Sequence, residues 1–137
     1  MIVKLSRAQY DQLVKQARDE FPLECCGLLA GRKIQEEIIV NKIFPGRNMD
    51  QSSEHFTMDP KEQFAALKEM RNEGLELVGN YHSHPYTPSR PSEEDKRLAY
   101  DPGILYAIIS LKEKEPVLNF FKIATGEFVE ELEYLLT

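Results

Sequence analysis

The sequence predicts an α/β fold, on three observations. Short apolar runs of strand length recur along the chain. Two longer segments carry apolar residues at helical spacing behind recognisable caps. The two kinds of segment interleave, which gives α/β or α+β; α/β is the reading adopted.

Ser6 opens the first helix, with Gln9 three residues on as a capping box. Tyr10, Leu13, Val14, Ala17 and Phe21 follow at helical spacing, and Pro22 closes the segment. Cys25–Ala30 reads as a buried strand. Gly31-Arg32-Lys33 is the expected turn into a second strand, Ile34–Phe44, and Pro45–Ser53 is a polar loop. His55–Met58 reads as a short strand. Asp59 caps a second helix with Pro60 at its first position, Phe64, Leu67 and Met70 on its buried face and Gly74 as its stop. Leu75–His84 is a strand ended by Pro85, which cannot donate to a ladder. A loop, Tyr86–Pro91, leads to a short helix over Ser92–Tyr100. Ile104–Leu111 and Val117–Ala124 are strands joined by the charged turn Lys112–Pro116. Gly126 is the expected turn into Glu127–Leu136, whose pattern fits a strand or a helix.

The 137 residues fit one domain, 1–137, with length enough for a core that needs no disulfide. With 17 Lys and Arg against 23 Asp and Glu, the net charge is −6, the wrong sign for coating nucleic acid. At 42% hydrophobic and 29% charged, the composition is that of a globular chain. Cys25 and Cys26 are adjacent and close no useful loop, so reduced thiols in a cytoplasmic protein are expected. The start has no signal-peptide core, and Ile104–Leu111 is far short of the ~20 residues of a membrane helix.

The chemistry concentrates in one stretch. His82 and His84 lie two apart at a strand end, so both imidazoles face the same side. Asp95 follows on the first turn of the next helix. Two histidines and a carboxylate are the three-ligand set of a catalytic zinc with an open position. Each piece has a plainer reading. Ser92 and Asp95 form a capping box without any metal. Glu24 alone is a solvated carboxylate beside a helix end, Cys25 and Cys26 are small core residues, and His55 is a strand-edge residue. A thiol site built from Cys25 or Cys26 with His82 leaves His84 and Asp95 unexplained. The H-x-E and P-C-x-x-C motifs of zinc deaminases are absent.

Together, Glu24, His82-Ser83-His84-Pro85 and Ser92-x-x-Asp95 resemble the JAMM, or MPN-plus, motif of zinc metalloproteases, with every position at the expected spacing. The resemblance covers most of the chain. It implies a three-layer cytidine-deaminase-like fold, a central mixed sheet flanked by helices. It implies one Zn²⁺ held by His82, His84 and Asp95, Glu24 as general base and proton shuttle, and Ser92 as oxyanion stabiliser. Ser83, between the ligands, is expected on the opposite strand face in a supporting role.

The chain's shortness resembles the stand-alone prokaryotic members of the family. That implies a partner that is a ubiquitin-like sulfur-carrier protein with a Gly-Gly tail, trimmed of an extension or relieved of cysteine, near cysteine or thiamin biosynthesis. The tail is expected to add as a strand to an edge in Asn41–Met58, although Arg47, Asn48 and Ser53 are also simply a hydrophilic loop. A homodimer is left open, and no substrate-binding residue is assigned. The alternatives are a catalytically silent MPN-type binding module and a zinc hydrolase of small amides.

Overall fold

The computed structural model describes residues 1–124 and 128–137. Among these residues seven strands and three helices interleave: β1 (Ile2–Leu5), α1 (Arg7–Glu20), β2 (Cys26–Ile34), β3 (Glu37–Gly46), α2 (Pro60–Asn72), β4 (Glu76–His84), α3 (Glu93–Arg97), β5 (Leu105–Ser110), β6 (Val117–Ala124) and β7 (Phe128–Leu136). The strands pair in the order β1-β3-β2-β4-β5-β6-β7, and β7 returns to lie parallel to β1 and closes the sheet. Pairing is mixed: β1 is parallel to β3 and β7, β4 is parallel to β5, and the remaining neighbours are antiparallel. The mixed α/β architecture is the expected one. Its closure through β1 is not, because Ile2–Leu5 is a strand that the sequence reading passes over.

Strand periodicity sorts the core. Along β2, Leu29 faces a large cluster with Leu13 and Ala17 of α1, Ile109 and Phe120. Leu28 and Ala30 face the other way, against Ala66 and Met70 of α2. The two helices therefore cover opposite faces of one strand. α1 starts as the spacing predicts, with Gln9 N–H donating to Ser6 Oγ at 3.0 Å and Ser6 N–H to Gln9 Oε1 at 2.8 Å. α2 starts on Asp59, whose carboxylate accepts Lys61 N–H at 2.9 Å, and ends before Gly74, whose φ of 70° suits glycine.

Several expectations shift. β2 runs through Gly31-Arg32-Lys33 and turns instead at Gln35, which takes a positive φ of 54°. β3 accordingly starts at Glu37. The buried stripe of α2 is Ala66, Leu67 and Met70, which leaves Phe64 on the flank, 73% exposed. His55–Met58 contributes only an isolated bridge, Met58 with Asn48. The third helix is confined to Glu93–Arg97, and Phe128–Leu136 is a strand. The turn expected at Gly126 lies outside the described residues. β3 pairs with β2 along its length but with β1 only at Glu37–Ile39, so one flank of Val40–Gly46 has no strand partner among the described residues. Among the described residues no helix is long and apolar enough to cross a membrane.

One irregularity matters for the site. Leu29 pairs with Gly79 but Ala30 with Leu77, so Val78 is the extra residue of a bulge in β4. Beyond it, Tyr81 and Ser83 face the core side, and Asn80, His82 and His84 share the opposite face.

Candidate metal centre

The end of β4 is held between β2 and β5, with His82 opposite Cys26 and Ile108. Both imidazoles are therefore carried by a strand inside the sheet. His82 and His84 are 3% and 4% exposed. Their Nε2 atoms lie 3.1 Å apart, and each lies 3.1 Å from Asp95 Oδ2. His82, His84 and Asp95 thus form one cluster of candidate ligands, as their spacing predicts.

Local contacts aim each member. His84 Nδ1–H donates to the carbonyl of Pro88 at 2.8 Å, which leaves Nε2 as the free lone pair. The Thr87–Ser89 loop that presents this carbonyl is tied down from below. Ser110 Oγ donates to Thr87 O at 2.6 Å, Ser89 Oγ to Ile108 O at 2.7 Å, and Asn119 Nδ2 to Ser89 O at 3.1 Å. His82 is stacked by Phe56, ring centroids 4.6 Å apart, and its Nδ1 is buried without a partner among the described residues. Asp95 sits at the third position of α3 because Ser92 caps that helix. Asp95 N–H donates to Ser92 Oγ at 3.0 Å, and Ser92 N–H to Asp95 Oδ2 at 2.9 Å. Asp95 belongs to both the capping box and the ligand cluster, since capping delivers its carboxylate to the imidazoles.

The electrostatics point to a cation. Burial alone would raise the Asp95 pKa, but hydrogen bonds to His82, His84 and Ser92 N–H hold the carboxyl well below the usual range. Burial pushes His82 down, toward the neutral imidazole. Burial also acts downward on His84, but Asp95 and the Pro88 carbonyl outweigh it and raise its pKa. Two ring nitrogens and a carboxylate oxygen converge at 3.1 Å, where a shared cation can take the place of the bridging protons. Zinc bonds of about 2.0–2.1 Å in a tetrahedral arrangement place ligand atoms about 3.3 Å apart, so the donor set fits zinc in type and spacing.

Glu24 stands beside this cluster, between α1 and β2, and is 4% exposed. Its backbone is clamped on both sides. Glu24 N–H donates to Ser52 O at 2.8 Å, and Asn48 Nδ2 donates to Glu24 O at 3.0 Å. Cys25 N–H donates to the fully buried Ser83 Oγ at 2.7 Å, so the residue between the two histidines holds the segment that carries Glu24. Burial, with Asp95, Glu94 and Glu54 nearby, pushes the Glu24 carboxyl up to about 8, against a smaller opposing pull from His84. A divalent cation on the cluster would lower it again. Two clefts meet at Glu24. One, of about 60 Å³, runs past Phe56, Asn80, His82 and Asp95. The other, of about 240 Å³, runs past His84, Tyr86 and Ser92.

Both cysteines are core residues. Cys25 packs in the main cluster, Cys26 under α2, and burial pushes each thiol up to about 12, which leaves no thiolate for a nucleophilic role. His55 is exposed and pairs with Glu94 at 2.7 Å across the mouth of the smaller cleft. Sequence reasoning missed Glu54, Phe56 and Asn80, which line the clefts from distant segments, and passed over Asn48 as loop polarity. Asn48 is buried and organises that loop, with Nδ2 on Glu24 O and His55 O and Oδ1 accepting from Asp50 and Thr57.

Residues 6–124 match the family described as prokaryotic homologs of the JAB domain. The CysO-cysteine peptidase of Mycobacterium tuberculosis is 30% identical over 120 residues, 87% of this chain and 81% of that protein. The desampylase of Haloferax volcanii is 32% identical over 105 residues, 73% of this chain and 74% of that one. A solution structure of a protein from Desulfitobacterium hafniense superposes with a TM-score of 0.90 at 47% identity, covering 100% of this chain and 93% of the other.

Proposed function

The chain belongs to the prokaryotic JAB-domain family, and from that premise we propose that it is a zinc-dependent metallopeptidase. Its proposed substrate is the bond after the C-terminal Gly-Gly of a ubiquitin-like sulfur-carrier protein. The convergence of His82 Nε2, His84 Nε2 and Asp95 Oδ2 at 3.1 Å beside a buried Glu24 carries this reading. The relatives named as a peptidase and a desampylase support the reaction class. In the same reading residues 1–137 form one domain of the three-layer cytidine-deaminase-like type.

His82, His84 and Asp95 would hold zinc, which supplies Lewis acidity and a water-derived nucleophile at neutral pH. Glu24 Oε takes a proton from the attacking water and returns it to the departing amine nitrogen. Burial raises its pKa and a cation on the neighbouring cluster would draw it back down, so the bound ion favours the ionised form that accepts the proton. Ser92 Oγ accepts Asp95 N–H and keeps its own hydrogen, which it donates to the scissile carbonyl oxygen as negative charge develops there. The Pro88 carbonyl and the serines beneath it keep the His84 ring oriented. Glycine at the two residues before the cut lets the tail's backbone approach this recessed cluster.

Intact-mass spectrometry tests the reading. Zinc-loaded protein is mixed with a sulfur-carrier protein extended beyond its Gly-Gly, with Glu24→Ala as control. The expected result is a mass drop to the Gly-Gly terminus in the wild type and none in the variant. An unchanged substrate with zinc bound would overturn the assignment.

A further inference from the structure

We propose that Glu54 makes this site select against leaving groups that carry a free α-carboxylate. The protein then cuts lysine isopeptide and internal peptide bonds and spares a single C-terminal amino acid. This inference rests on the Gly-Gly peptidase reading above.

The two clefts that flank the candidate ligands share Glu24 and Glu54. Among the described residues no lysine or arginine lines either one. The side chain there that could carry positive charge beside the ligands is His55, and Glu94 Oε2 already faces it at 2.7 Å. Whichever cleft receives the leaving group, Glu54 stands on its wall. The distinction among substrates is then geometric. In a chain ending Gly-Gly-Xaa, the free carboxylate is bonded to the same carbon as the scissile nitrogen, so it must enter beside the Glu54 carboxylate. With a zinc ion's two charges matched by ionised Asp95 and Glu24, Glu54 is the unmatched charge on the wall, and a substrate carboxylate entering there lies within the ~10 Å screening length of ordinary salt. An internal extension presents a neutral amide at that position. A lysine isopeptide presents methylenes.

The smaller cleft agrees with the second kind of partner. Phe56, Leu98 and Tyr106 give it apolar walls for methylenes. The Tyr106 hydroxyl is turned away, donating to Asp101 O at 2.9 Å. Asn80, whose Oδ1 is buried without a partner among the described residues, also lines this cleft.

The test uses carriers that differ by one charge. One ends Gly-Gly-Ala as the free acid and one ends Gly-Gly-Ala amidated; a third carries Gly-Gly on a lysine side chain. Zinc-loaded wild type is expected to show kcat/KM about tenfold higher on the amide and the isopeptide than on the acid. Glu54→Gln should pull the amide-to-acid ratio toward one, and Glu54→Lys should invert it. The ratio is internal to each variant, so a partly misfolded preparation does not shift it. A binding arm repeats the comparison by calorimetry on Glu24→Ala, with the amidated carrier expected to bind more tightly and 0.5 M salt expected to narrow the gap. A free acid cut or bound as well as the amide would overturn the proposal, as would a ratio unmoved by both Glu54 variants. Cleavage of none of the three carriers would instead sink the peptidase reading, and the binding arm would still decide the selectivity.

Discussion

The barrel core around Phe120 and the polar seam around Glu24 are equally closed to water, yet burial acts on them with opposite sign. Phe120, Leu29 and Ile109 are fully buried and apolar, so removing them from water drives folding. Glu24, His82 and His84 are buried to within a few per cent of the same extent, and there burial opposes folding by disfavouring charge. The seam exists because the core around it is stable enough to impose it. β4 joins the two regions: Tyr81 and Ser83 face the core side, and His82 and His84 face the cluster. A recessed carboxylate with a raised pKa and two oriented imidazoles are costly in a fold and useful at a reaction centre.

The largest expected effect breaks the core without touching the seam. Phe120→Ala should lower stability by about 3–5 kcal/mol in denaturant unfolding. The folded fraction should still bind one equivalent of zinc. Loss of the metal from natively folded Phe120→Ala would mean that the two regions are not separable.

A smaller effect sharpens the opposite sign. In metal-free protein the Glu24 carboxyl ionises at about 8 when folded and near its ordinary 4.5 when unfolded. Below 4.5 both states are protonated; between the two values only the unfolded state gives up its proton, so this residue's contribution falls as pH rises and levels off above 8. Glu24→Gln removes that penalty. It should therefore be more stable than wild type at pH 9, by a few kcal/mol at most, and match it at pH 4. Denaturant unfolding of metal-free protein at the two pH values checks this, and a variant less stable at pH 9 would contradict the account.

The seam was more legible in sequence than the barrel. His82, His84, Ser92 and Asp95 lie within fourteen consecutive positions, and two local rules, strand alternation and helix capping, place them. Local rules also gave α1 and α2. Closure of the sheet depends on Ile2–Leu5 pairing with Glu133–Leu136, a contact across almost the whole chain that leaves no local periodicity to read. Asn48, Glu54, Phe56 and Asn80 stayed hidden for the same reason. Each acts across a long sequence separation, and an asparagine or glutamate in a polar stretch looks the same whether it faces solvent or a buried partner.

The most direct measurement is zinc stoichiometry by native mass spectrometry on wild type, Glu24→Ala, His84→Ala and Asp95→Ala, with circular dichroism confirming the fold. One equivalent in wild type and in Glu24→Ala, with most of it lost from the other two, is the predicted result, because two remaining ligands do not hold a closed site. A full equivalent retained by folded His84→Ala or Asp95→Ala, or metal lost from Glu24→Ala, would contradict the central claim that three side chains bind the ion and the fourth works beside it.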